Sequence, residues 1–165
     1  MIHFLTKTLD AIGNTYLVIK FNSNEVSQYL KDLKKYINND EKFNQLVSNQ
    51  QARDSREGES HSNHLTVINV MEINKLVKTM GQKEFDKKFS MMCTPIRDLN
   101  MIGVGAAIDD KNGNQTFFVV CESESLNKFR AAFGLKQRDL HITIGFDKKD
   151  VFTKSKGRDS LINEK

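Results

Sequence analysis

The chain has 165 residues, 38% of them apolar, with 25 Lys and Arg against 21 Asp and Glu for a net charge of +4. A domain of this length buries roughly 70% of the surface its unfolded chain exposes, so no metal or disulfide framework is needed for stability, and the composition excludes wholesale disorder. No apolar run approaches the ~20 residues of a membrane span, and the mild cationic excess suits an anionic ligand without identifying one.

The first residues, Met1 to Lys7, lack the basic start, long apolar stretch and cleavage site of a secretory signal, so a cytoplasmic location is expected. Gly13-Asn14-Thr15 reads as a turn, and Tyr16 to Phe21 as a strand. Asn22 or Ser23 then caps an amphipathic helix whose stripe is Val26, Tyr29, Leu30, Leu33 and Ile37. From Ser48 to Asn63 the only apolar residue is Ala52, which predicts a long surface loop of the kind that forms lids. Leu65 to Val70 is strand-like. Ile73, Leu76, Val77 and Met80 mark a helix that Gly81 ends or interrupts, and Phe85 and Phe89 extend a second short one.

The second half repeats the plan. Met101 to Ile108 and Gln115 to Cys121 flank a loop containing Asn112-Gly113, which predicts a β-hairpin. Ser123 starts a helix carrying Leu126, Phe129 and Phe133, and Gly134 ends it; Leu140 to Phe146 returns as a strand. The tail from Asp147 to Lys165 is basic and polar, and either wraps over the sheet or frays. Strands and helices alternate but hairpins intervene, so an α+β fold, a single domain over 1–165, is expected rather than a doubly wound parallel sheet. Cys93 and Cys121 have neither zinc-site nor disulfide spacing and read as idle thiols.

Two of the four histidines open the same pattern of histidine, aliphatic, threonine, aliphatic: His64-Leu65-Thr66-Val67 and His141-Ile142-Thr143-Ile144. One histidine meets that pattern by chance about once in a hundred, so two of four is a signal. On a strand His64 and Thr66 share one face while Leu65 and Val67 share the other, and His141 and Thr143 obey the same rule. The motifs lie about half the chain apart, as a duplicated lobe would place them. Two imidazoles and two hydroxyls in one cleft suit a phosphodiester. A neutral ring accepts a proton from the nucleophile, its cationic partner donates one to the departing oxygen, and the threonines hydrogen-bond the non-bridging oxygens.

No metal or other cofactor is expected. His61 and His64 form His-x-x-His, but no third ligand has suitable spacing, and His3 has no context. Tyr16 is a candidate for stacking on a base. Arg130, Lys136, Arg138, Lys148, Lys149, Lys154, Lys156 and Arg158 surround the second motif; some are candidates for a phosphate-attracting rim, and most read as solvated surface.

The paired His-x-Thr motifs resemble the signature of the two-histidine (2H) phosphoesterase superfamily. Phe129 to Leu135, through Asp139 to Phe146 and on to Asp150-Val151, resembles its Swiss-army-knife and LigT-like branch, in which a helix ending in Gly-Leu leads into the second motif. The resemblance implies two pseudo-symmetric antiparallel lobes around a central cleft, with metal-independent cleavage of phosphodiester or cyclic phosphate bonds by His64, Thr66, His141 and Thr143. Small stand-alone members include phage anti-CBASS enzymes that degrade cyclic oligonucleotide messengers, and the chain resembles them in size and in its Gly13-Asn14-Thr15-Tyr16 segment. It departs from them in having no tryptophan. The first expectation is thus a cyclic-oligonucleotide phosphodiesterase with no obligatory protein partner. The alternatives are an RNA-processing enzyme acting on 2′,3′-cyclic ends or 2′–5′ linkages, and a non-catalytic nucleotide-binding module.

Overall fold

In the computed structural model, which describes residues 1–56 and 63–162, the β-branched and aromatic runs form the strands β1 (Leu5–Leu9), β2 (Thr15–Phe21), β3 (Asn63–Ile68), β4 (Asn100–Ile108), β5 (Gln115–Glu122) and β6 (Leu140–Phe146). Between them lie the helices α1 (Ser23–Ile37), α2 (Asp40–Arg56), α3 (Val70–Met80), α4 (Gln82–Met92) and α5 (Glu124–Ala132), and a 3₁₀ turn spans Arg158–Ser160. The strands make one antiparallel sheet in the order β1-β2-β3-β6-β5-β4. The fold class is α+β, and the two lobes implied by the resemblance are the halves of this sheet. They meet at β3 and β6, where Leu65 lies opposite Ile142.

Alternation along the strands divides the core. Phe117, Val119 and Cys121 of β5 join Leu65, Val67, Ile142 and Ile144 in a large cluster completed by Val26 and Leu33 of α1, Ile73 of α3, Phe85 of α4 and Leu126 and Phe129 of α5. Phe118 and Val120 face the other way and pack with Ala107 and Val151 in a smaller cluster. Both cysteines are free thiols, and burial pushes Cys121 up to about 12, which leaves it unreactive.

Local signals work as expected at several ends. The Glu25 side chain accepts the Asn22 backbone N–H at the start of α1, at 2.9 Å. Gly134 takes φ 75° after α5, where Leu135 N–H returns to the Arg130 carbonyl at 3.1 Å. Asn69 caps α3 with Glu72, so the third strand stops at Ile68, two residues short of the Val70 end expected from its apolar run.

Two segments differ more. Ser48 to Arg56, expected as loop, is the second half of α2. The helix buries Leu46, Gln50 and Asp54, spaced four apart, so its inner face is partly polar and hydrophobic periodicity vanishes from the sequence. The rest of the expected loop, residues 57–62 with His61, lies outside the described residues. The tail wraps rather than frays: Val151 and Lys156 are buried, Ile162 N–H donates to the Val104 carbonyl at 3.0 Å, and Asn114 holds Lys149 O and Lys148 N through its side chain.

Candidate active site

Because Leu65, Val67, Ile142 and Ile144 are fully buried in the core, the intervening side chains of β3 and β6 emerge on the opposite face of the sheet. With Leu65 opposite Ile142, one step either way along the antiparallel register sets His64 across from Thr143, and Thr66 across from His141. The two motifs are thus arranged crosswise at the seam between the lobes. All four residues, together with Tyr16, line one cavity of about 730 Å³.

The two rings have different surroundings. His141 Nδ1–H donates to the Asp139 backbone carbonyl at 2.9 Å, and since a carbonyl only accepts, this fixes the proton on Nδ1 and leaves Nε2 bare. The Lys156 ammonium stands 3.5 Å from that Nε2, and the edge of Phe118 packs on the ring with centroids 5.7 Å apart. His64 buries Nδ1 with no hydrogen-bond partner among the described residues, 3.8 Å from the Asp54 carboxylate, and Tyr16 packs edge-on at 6.0 Å between centroids. Tyr16 is itself buried, so its ring forms wall behind His64 more than an open platform.

Burial, reinforced by Arg53 and by His141 across the cleft, lowers His64 to about 3. Burial and the Lys156 charge lower His141 to about 4. In the free protein both rings are therefore neutral at physiological pH. Folded-state values below the unfolded ~6.5 contribute stability that is complete above pH 6.5 and is lost as pH falls toward 4. Thermal melts between pH 8 and pH 4 are expected to show Tm falling below pH 6.5, with a shallower slope in His64→Phe; equal slopes in the two proteins contradict the burial of a neutral His64.

Asp150, at the start of the tail, organises the second motif. It accepts from Thr143 Oγ1 at 3.2 Å and from Lys156 Nζ at 2.8 Å, with Arg53 3.5 Å away. Burial opposes its ionisation, but the Lys156 ammonium outweighs that and holds the carboxyl below its ordinary range. α2 reaches the same place through Arg53, while within the helix Gln50 donates to Asp54 at 2.5 Å and, from β3, Asn63 donates to the Thr143 carbonyl at 3.2 Å.

Of the eight cations near the second motif, Arg138, Lys154 and Lys156 line the cavity. Lys154 pairs with Asp110, and Arg158 pairs with Glu122. Arg130 does not join the rim: it is buried and spent on Glu72 and two backbone carbonyls. His3 is structural, donating from a buried ring to Glu25 at 2.9 Å. Sequence reasoning missed Arg53, which lies in the segment expected as loop, and Asp54 beside it. The available signal was helical spacing, since Gln50, Arg53 and Asp54 fall on one turn with Leu46 a turn before.

The described residues contain no helix long and apolar enough to cross a membrane. No curated protein and no solved structure matches the chain. The sequence model of the Swiss Army Knife 2H phosphoesterase domain matches residues 27–152, which includes both His-x-Thr motifs and Asp150. That span covers most of the sequence and carries the crosswise pair of motifs into the family pattern, so the chain belongs to the Swiss Army Knife 2H phosphoesterases and is a phosphodiesterase of that type.

Proposed function

We propose that this phosphodiesterase opens cyclic oligonucleotides, with His64 and His141 as the acid–base pair and Thr66 and Thr143 as donors to the non-bridging phosphate oxygens. The observation that supports this most directly is the crosswise placement of the two motifs in one cavity, each imidazole opposite the other strand's hydroxyl. A phosphodiester seated there meets a proton acceptor, a proton donor and two hydroxyls. As the nucleophile's oxygen bonds phosphorus, its proton passes to the neutral ring; as the bond to the leaving oxygen breaks, that oxygen keeps the electron pair and takes a proton from the other ring. Thr143 joins by exchanging its bond to Asp150 for one to phosphate.

A cavity of about 730 Å³ has room for more than one nucleotide unit, and its cations Arg53, Arg138, Lys154 and Lys156 suit more than one phosphate. Tyr16 belongs to the substrate-binding wall in this reading. The resemblance to phage anti-CBASS enzymes extends it to evasion of bacterial immunity, in the host cytoplasm. Proton uptake by one ring requires an anion nearby, since both are neutral in the free protein; the bound phosphate supplies it.

The test is incubation with cyclic di- and trinucleotides, linear RNA, 2′–5′-linked dinucleotides and 2′,3′-cyclic mononucleotides, with and without EDTA, followed by chromatography. Linear products from the cyclic substrates in EDTA are expected. Preference for 2′,3′-cyclic ends or 2′–5′ linkages reassigns the enzyme to RNA processing. Loss of turnover in EDTA removes the metal-free scheme, and stoichiometric binding without turnover makes the chain a sequestering module.

A further inference from the structure

The two motifs are related by an approximate twofold through the Leu65–Ile142 pair, but the groups around them are not, and the asymmetry lies in one side chain of the tail. Lys156 is buried, yet its ammonium borders the cavity between His141 Nε2, 3.5 Å away, and Asp150 Oδ1, 2.8 Å away. The segment carrying it is fastened to the residue that fixes the His141 tautomer. Lys156 N–H donates to the Asp139 carboxylate at 3.1 Å, and Ser155 Oγ donates to the same carboxylate at 3.2 Å. A methyl group added at Gly157 would stand 3.1 Å from Asp139 Oδ1, so the turn is packed closely there. Phe118 and Phe152 bracket the ammonium with ring centroids 5.6 and 5.4 Å away. An ammonium has three N–H donors: one goes to Asp150, one faces the bare nitrogen of His141, and no third acceptor contacts it among the described residues.

We propose that Lys156 is a third catalytic group: its ammonium binds a non-bridging oxygen of the phosphate held at His141. This rests on the phosphodiesterase reading above. The donor arithmetic points the same way, because Thr143 must give up its single bond to Asp150 to reach the phosphate, whereas the Lys156 ammonium keeps its bond to Asp150 and still has an N–H to give. Besides Lys156, His141 faces Asp150 from the tail, Arg138 and the Asp139 carbonyl before β6, Phe118 of β5 and His64 of β3.

The experiment uses the full chain and whichever diester the substrate panel shows to be turned over. Lys156→Met and Lys156→Gln are expected to lower kcat about 10²–10³-fold, as removal of an oxyanion donor does, with a smaller change in KM. Gln keeps an N–H for Asp150, so it reports on charge even if Met fails to fold, and Lys156→Arg is expected to restore most of the turnover. NMR titration of the His141 ring is expected to show proton uptake at higher pH in Lys156→Gln, a change that a merely structural lysine would not cause. Folded Lys156 variants with kcat within threefold of wild type, or an unmoved His141 titration, overturn the proposal while leaving the phosphodiesterase reading intact. A wild-type protein that turns over no diester, or histidine variants that retain full turnover, overturns that reading and the proposal with it.

Discussion

Replacing either His64 or His141 with alanine is expected to lower kcat/KM on a ribonucleotide diester by about 10²–10⁴-fold, a barrier increase of about 3–5 kcal/mol. Each ring lies on the cavity side of the sheet rather than in either core cluster, so the loss should come without unfolding, and circular dichroism and thermal melts check this. The two effects should not add. Taking a proton from the nucleophile and giving one to the leaving oxygen belong to one displacement, so once either ring is gone the other has little left to contribute. The double variant is therefore expected within about tenfold of the weaker single variant. A double variant whose loss equals the product of the two single losses would mean the rings act in separate steps.

The largest loss of stability is expected at Arg130. It is buried at 4% exposure, donates two parallel bonds to Glu72 at 2.9 and 2.8 Å, a further one to the Val67 carbonyl at 2.8 Å and one from Nε to the Lys136 carbonyl at 2.9 Å. One side chain thereby joins α5, α3 and the last residue of the first motif on β3. Burial alone would raise the Glu72 carboxyl, but the Arg130 hydrogen bonds, the Asn69 backbone N–H and the Arg130 and Arg138 charges together outweigh it and hold Glu72 low. Arg130→Met takes the two parallel bonds from that carboxylate, leaving it the Asn69 N–H and the nearby Arg138, and removes the Arg130 donor from two carbonyls, at a cost of about 3–5 kcal/mol. For a domain of this size that is a fall in Tm of about 10–15 °C by differential scanning calorimetry. Glu72→Gln with Arg130→Met should recover part of it, because the uncompensated charge is removed; a Tm within 3 °C of wild type in Arg130→Met would show that the pair is idle.

Much of this site was legible in the sequence because a strand motif carries its own geometry. Period-two alternation fixes which side chains share a face, and a pattern met twice announces both halves of the cleft before any coordinates exist. The parts that were not legible depend on contacts between distant segments. α2 hides because Gln50 and Asp54 occupy positions that a core helix normally gives to leucine. β1 hides because Leu5–Leu9 is an edge strand with Thr6 and Lys7 exposed, which leaves too little apolar alternation to read. Lys156 and Arg130 look alike in a list of cations, and only the tertiary path of the tail separates a cavity-lining ammonium from a buried structural guanidinium.

The single Leu65–Ile142 pairing at the seam ties assembly to activity. Sliding one strand past the other by a single residue would point its histidine and threonine inward and force its two aliphatic neighbours into water, while a slide of two would keep the faces but pull the crossed partners apart by nearly 7 Å. Neither mispaired form could retain partial function, so the fraction of turnover recovered on refolding serves as a direct count of correctly zipped molecules.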